Sequence, residues 1–159
     1  VGAMAAVRSV SQVGARLSTP IPAISIQRQC QHFLYDDRCR VDRASFDVAT
    51  TVSSVSGYSV TVASVGGNPD DWFKAGEIVR ASDGERRTIV GNTGAVLSLI
   101  APFATLNATD SVTLYAGCAH TVEVCRDKFS NVLNYGGHAQ IPSSNPFDVP
   151  LTRLTLRGL

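Results

Sequence analysis

The sequence predicts a mainly β protein, a small barrel or sandwich of about six short strands with short helical segments around a four-cysteine site. Three observations carry this expectation. Between residues 46 and 115 apolar and polar residues alternate in short runs rich in β-branched side chains. Clusters of Gly, Asn, Asp and Ser punctuate those runs. Cys30, Cys39, Cys118 and Cys125, the only cysteines in the chain, stand as two pairs at either end of the stretch, so a stretch that closes on itself would bring both pairs to one place.

In chain order, Ala3 to Val10 and Val13 to Thr19 read as two strands around Ser11-Gln12. A lone hairpin is marginal in water, so residues 1–20 are expected to be the trailing edge of an upstream β domain. Pro20 and Pro22 break pairing and open a connector. Residues 28–45 carry the first cysteine pair among four arginines and three aspartates, too irregular for a strand. They predict a loop with short helical turns, in which Phe33, Leu34 and Tyr35 form a local core. Phe46 to Val55 and Tyr58 to Ser64 alternate around Ser56-Gly57 and predict a hairpin. After the turn-forming stretch 66–71, Trp72 and Phe73 are expected to anchor the core. Glu77 to Ala81, Arg86 to Val90, Val96 to Ala101 and Ser111 to Tyr115 complete the strands. Thr121 to Phe129 spaces Val122, Cys125 and Phe129 on one helical face, and Asn134-Tyr135-Gly136-Gly137 ends that piece. The expected division is thus 1–20, a domain over 21–147 with its β module at 46–115, and a C-terminal strand or tail over 148–159.

A chain of 159 residues buries one ordinary core, which excludes a large multidomain enzyme. With 44% hydrophobic and 17% charged residues, its surface is less charged than usual, as suits a member of an assembly. The 14 basic and 13 acidic side chains leave a net charge of +1, and no basic run tracks phosphates, so no nucleic-acid footprint is read. No apolar run reaches the roughly eighteen residues needed to span a bilayer, and the first residues lack the apolar centre of an export signal. The chain therefore reads as cytosolic in origin, where thiols stay reduced and metal binding stands ahead of disulfides.

The spacings are Cys-x8-Cys and Cys-x6-Cys. Structural zinc sites favour gaps of about two to four residues, because one tight turn aims both thiolates at a single ion. An iron-sulfur cluster is larger and tolerates wider gaps, so spacing favours the cluster while zinc remains the alternative. A four-thiolate cluster is anionic, and Arg28, Arg38, Arg40, Arg43, Arg126 and Lys128 lie close enough in sequence to offset it; the plainer alternative is surface pairing with Asp36, Asp37, Asp42 and Asp127. A rival reading is a cysteine peptidase or amidase, with Cys118 or Cys125 activated by His120 or His138 and an imidazole oriented by Asn131 or Asn134. Nothing marks one thiol as different from the others. The adjacent pairs Asp36-Asp37 and Asp70-Asp71 read as turn residues, and Gly66-Gly67 and Gly136-Gly137 lack the context of a phosphate loop.

Two stretches say more. QRQCQHFLYDDRCRVDRASF (Gln27 to Phe46) and GCAHTVEVCRDKFSNVLNYGGHAQIP (Gly117 to Pro142) resemble the paired signatures of the C-terminal domain of tail-tip hub proteins of long-tailed bacteriophages and gene transfer agents, with a more distant likeness to the minor tail protein L of phage lambda. The resemblance spans about residues 20 to 147; His138-Ala139 departs from the aromatic and proline commoner there. It implies that Cys30, Cys39, Cys118 and Cys125 bind a 4Fe-4S cluster and that no residue is catalytic. It also implies a structural protein of the virion tail tip, assembled in the bacterial cytoplasm. The implied partners are the distal tail protein, the tip or fibre protein and the tail-associated peptidase, in a homotrimer around the path of DNA.

Overall fold

The computed structural model describes residues 26–142, so the expected hairpin at 1–20 and the C-terminal segment 148–159 lie outside the described residues. Six strands form a closed barrel: β1 (Asp47–Ser56), β2 (Ser59–Val62), β3 (Glu77–Arg80), β4 (Arg86–Thr93), β5 (Val96–Leu99) and β6 (Ser111–Tyr115). The order around the barrel is β1-β2-β5-β4-β3-β6, which resolves the choice between barrel and sandwich.

Closure depends on two long strands that turn corners. The first half of β1 pairs with β6, from Asp47↔Tyr115 to Thr51↔Ser111; beyond an irregularity between Val52 and Ser54 its second half pairs with β2. β4 repeats the device, pairing with β3 through Arg86 to Thr88 and with β5 beyond an irregularity between Ile89 and Gly91. An extra residue bends and twists a strand, which is how a sheet closes without splitting in two. All neighbouring strands are antiparallel.

The alternation read in the sequence lines the interior. Val60 and Val62, Ile78, Leu97 and Leu99, and Val112 and Leu114 point inward from their strands. Phe73, fully buried, plugs the barrel from the β2–β3 connection, and Phe103 and Leu106 cover it from the β5–β6 connection. Two polar residues break the inward rule. Asn92 is 3% exposed, accepts a bond from the Phe73 N–H at 3.0 Å and so ties the plug to β4. Arg80 is 7% exposed; its guanidinium bonds Asp83, Glu85 (2.6 Å) and the Thr105 carbonyl (3.0 Å), as a charge withdrawn from water must.

A second, smaller cluster sits where β6 ends. Cys39, Val41, Ala116 and Phe129 are buried there, with Leu34, Tyr35, Phe46, Trp72, Cys118 and Val124 packed against them. Leu34 and Tyr35 therefore join a local core as expected, but Phe33 does not. It is 81% exposed, because Asp36 turns the loop back on itself and leaves Phe33 on the outside. Trp72 is half-buried and borders both clusters. The chain leaves the barrel through a backbone crossing at which a Cβ on Gly76 would overlap the Tyr115 carbonyl and one on Gly117 the Lys74 carbonyl.

Candidate metal centre

Each cysteine is aimed by a different local device. Asp36 accepts bonds from the backbone N–H groups of Phe33 (3.2 Å), Arg38 (3.0 Å) and Cys39, an Asx-type turn that holds Cys39 inward. Those bonds, that from Cys39 foremost, keep the Asp36 carboxyl below its usual range. Arg40 then takes a left-handed conformation (φ 59°), and a 3-10 turn at Arg43–Phe46 leads into β1. Cys118 follows the Gly117 crossing, and its sulfur accepts the His120 backbone N–H at 3.3 Å. Cys125 lies on α1 (Val122–Asp127), whose first turn is capped by the Thr121 hydroxyl. Cys30 is brought to the second pair by its own N–H, which donates to the His120 carbonyl at 2.8 Å, and its sulfur accepts the Gly136 N–H at 3.3 Å.

The two ends of the β module thus meet in one lobe. The four cysteines are free thiols, Cys39 and Cys125 buried and Cys30 and Cys118 half-buried. Burial pushes the Cys125 thiol up to about 11, with added repulsion from Cys118, Cys30 and Cys39. Burial likewise raises the Cys118 thiol, with Cys39 and Cys30 contributing. Ionising the thiols together would therefore add repulsion among them, which a shared cation would relieve. Among the described residues no group of three His, Cys, Asp or Glu side chains is close enough to hold a single metal ion. Zn–S bonds of about 2.3 Å demand sulfurs nearly in contact, whereas a cluster spreads them across its corners.

The double glycine proves to be a close-packing device. A Cβ on Gly136 would stand 2.5 Å from the His32 Nε2, and one on Gly137 would stand 2.7 Å from the Gln29 carbonyl carbon. His32 is fixed over Gly136 by the contact of its Nδ1 with the Asn134 carbonyl, 3.0 Å. Cys30 also lines an open cavity of about 490 Å³ beside His32, Phe33 and His120.

Of the flanking basic residues, Lys128 is the one turned into the lobe. Its ammonium donates to the carbonyls of Trp72 and Gly117 (2.7 Å) and lies 4.4 Å from the centre of the Trp72 ring. Burial lowers it to about 8 while the charge of Cys118 works the other way. Arg43 instead bonds Glu77 over the Tyr115 ring, Arg126 bonds Asp127 at 2.7 Å, and the Arg40 Nε bonds the Asp37 carbonyl at 3.3 Å. Arg28, Arg38, Arg40 and Arg126 are exposed, so most of the expected offsetting charge faces solvent.

The hydrogen bonds of the two candidate nucleophiles run to backbone groups, the Cys118 sulfur to the His120 N–H and the Cys125 thiol to the Asn131 carbonyl. The His120 contact with Cys118 uses the backbone N–H, the ring nitrogen of His32 faces Asn134, and the raised thiols are the reverse of an activated nucleophile. Sequence reading missed the inward turn of Lys128 and the role of Gly136. It also missed the contact of Asn131 with the first cysteine pair. Asp36 three residues before Cys39 was the one readable signal, as an Asx-turn spacing.

Donor set, N–H···S bonds, an apolar surround and one inward cation together fit an iron-sulfur cluster. Residues 71–145, just under half of the chain, match a family model described as phage conserved hypothetical protein BR0599; this match takes in Cys118 and Cys125 but not Cys30 and Cys39. No curated protein matches the chain. A chain from the virion of a native gene transfer agent particle shares the fold, with a TM-score of 0.66 at 24% identity over 92% of this chain and 54% of that one. The present chain thus spans about half the length of that virion protein.

Proposed function

We propose that the chain is a structural component of a phage-type virion. In this reading it belongs to a tail-tip or baseplate hub that joins the tail tube to the tip and fibre proteins. Support comes from the partial match to a phage family and from the shared fold with a gene transfer agent virion chain. The observation that carries the reading furthest is the convergence of Cys30, Cys39, Cys118 and Cys125, from the two sequence flanks of a closed barrel, on one lobe with backbone N–H groups aimed at two of the sulfurs.

In this reading the four cysteines hold a 4Fe-4S cluster, which supplies bonds tying residues 30–39 to residues 118–125. The barrel brings the two segments together; Asp36, Thr121 and Gly136 orient the cysteines; Trp72 and Phe129 exclude water around them. Ligands drawn from distant parts of the chain turn binding free energy into folding free energy, so the centre acts as a clasp and not as a catalyst. Distal tail protein, tip or fibre protein and tail-associated peptidase are the proposed neighbours, in a homotrimer. A single-ion zinc module is the alternative, and a count of bound metal separates the two. The domain division at residues 20 and 147 belongs to the same proposal.

Gold-labelled antibody against the barrel tests the placement on intact particles. Label confined to the distal end of the tail is expected, and label on the head or along the tube overturns it. Purified protein should release no product from peptidoglycan.

A further inference from the structure

We propose that Asn131 is the positioning residue of the sulfur centre: its amide holds the two cysteine pairs in register and directs an N–H at the Cys39 sulfur, which sets the reduction potential of the bound cluster. This inference rests on the cluster reading above.

Asn131 touches both buried cysteines, one from each pair. Its Nδ2 donates to the Cys39 carbonyl and lies 3.8 Å from the Cys39 sulfur, across 92 positions of sequence. Its backbone N–H donates to the Cys125 carbonyl at 2.9 Å, and its own carbonyl accepts the Cys125 thiol at 3.2 Å. Ser130, left-handed at φ 49°, ends α1 and swings Asn131 back beneath it, as the αL residue after a helix does.

The amide has one way to sit. Oδ1 accepts the Asn134 Nδ2 at 2.7 Å, and the Cys39 carbonyl can only accept, so the NH2 side faces Cys39. When Cys125 becomes a metal ligand its thiol proton leaves, and the S–H bond to Asn131 is lost. The N–H bonds to the Cys39 and Cys125 carbonyls need no such change and hold the two segments together in both states. An N–H directed at a ligating sulfur stabilises the more negative, reduced state and so raises the potential. The Gly136 and His120 donors are backbone groups. Asn131 is the side chain among the described residues that supplies such a bond.

The test compares Asn131→Leu, similar in size and uncharged but without a donor, with Asn131→Gln, which keeps the donor. Potentials are measured anaerobically on protein whose iron and sulfide have been counted. The Leu variant is expected to load and to titrate at a more negative potential than wild type, with the Gln variant closer to wild type. A fully loaded Leu variant with the wild-type potential overturns the inference and leaves the cluster reading standing. If the Leu variant loads nothing, the Gln variant decides: loading supports the donor role, and equal failure shows that shape alone matters and overturns it. Wild-type protein without iron and sulfide fails the cluster reading and takes this inference with it.

Discussion

The barrel and the cysteine lobe hold together by different means. In the barrel, antiparallel ladders run around a closed circuit and twelve buried residues share one apolar cluster. In the lobe, four buried residues form the cluster, regular structure is limited to α1 and short 3-10 turns, and the cysteines are set by single contacts. Tyr35, Arg40, His120 and Ser130 are all left-handed there, a costly conformation for residues with a Cβ. Such a backbone persists where its surroundings over-determine it. The barrel is thus stable by burial alone, whereas the lobe has little burial to rely on and, in the proposed reading, gains its stability from a group bound by the four sulfurs.

The sharpest way to break this contrast is to remove a sulfur. Cys39→Ser or Cys125→Ser is expected to abolish visible absorption and bound iron. Amide hydrogen exchange should then quicken through residues 28–46 and 117–137 while β2 to β6 keep their protection. Uniform loss of protection would mean that the two regions are one cooperative unit.

Phe73→Ala should do the converse. Emptying the plug costs about 3–5 kcal/mol in urea unfolding, and because the barrel brings the cysteine pairs together, iron content falls with it. A smaller effect is expected from Gly136→Ala, whose methyl meets the His32 ring; overpacking of about 1–3 kcal/mol should slow cluster loading. Adding His32→Ala should restore loading, since it removes the colliding ring.

The smallest effect belongs to the barrel alone. Asp83 is held at about 2 by its bond from Arg80, below its ordinary 3.8. A depressed folded value means that the contribution is present above 3.8 and fades as the pH falls through about 2. Asp83→Asn should therefore lower urea stability modestly at neutral pH, with Glu85 left as the partner of the buried Arg80, and flatten the fall between those two values.

The barrel was legible in the sequence because a period of two is written into each strand: Val60 and Val62, Leu97 and Leu99, Val112 and Leu114 all face inward as the alternation implies. Closure was not, since the corners in β1 and β4 are irregularities that no residue type announces. Arg80 was hidden for a related reason, as an inward arginine is tolerable only with Asp83 and Glu85 folded back upon it. At the centre, the cysteines and the short helix carrying Cys125 were readable from spacing, but the helix ends at Asp127, so Phe129 packs from the turn beyond it and not from a shared helical face. The partners of the sulfurs were not. Asn131 reaches Cys39 and Gly136 reaches Cys30 across 92 and 106 positions of sequence, and contacts of that range leave no local pattern.

The central claim is that Cys30, Cys39, Cys118 and Cys125 share one iron-sulfur cluster, and its most direct test is anaerobic purification followed by visible absorption and a count of iron, sulfide and zinc. A brown protein with a broad band toward the blue and about four irons and four sulfides per chain is predicted. A colourless protein holding one zinc per chain, or one whose cysteines are recovered as two disulfides, would contradict it.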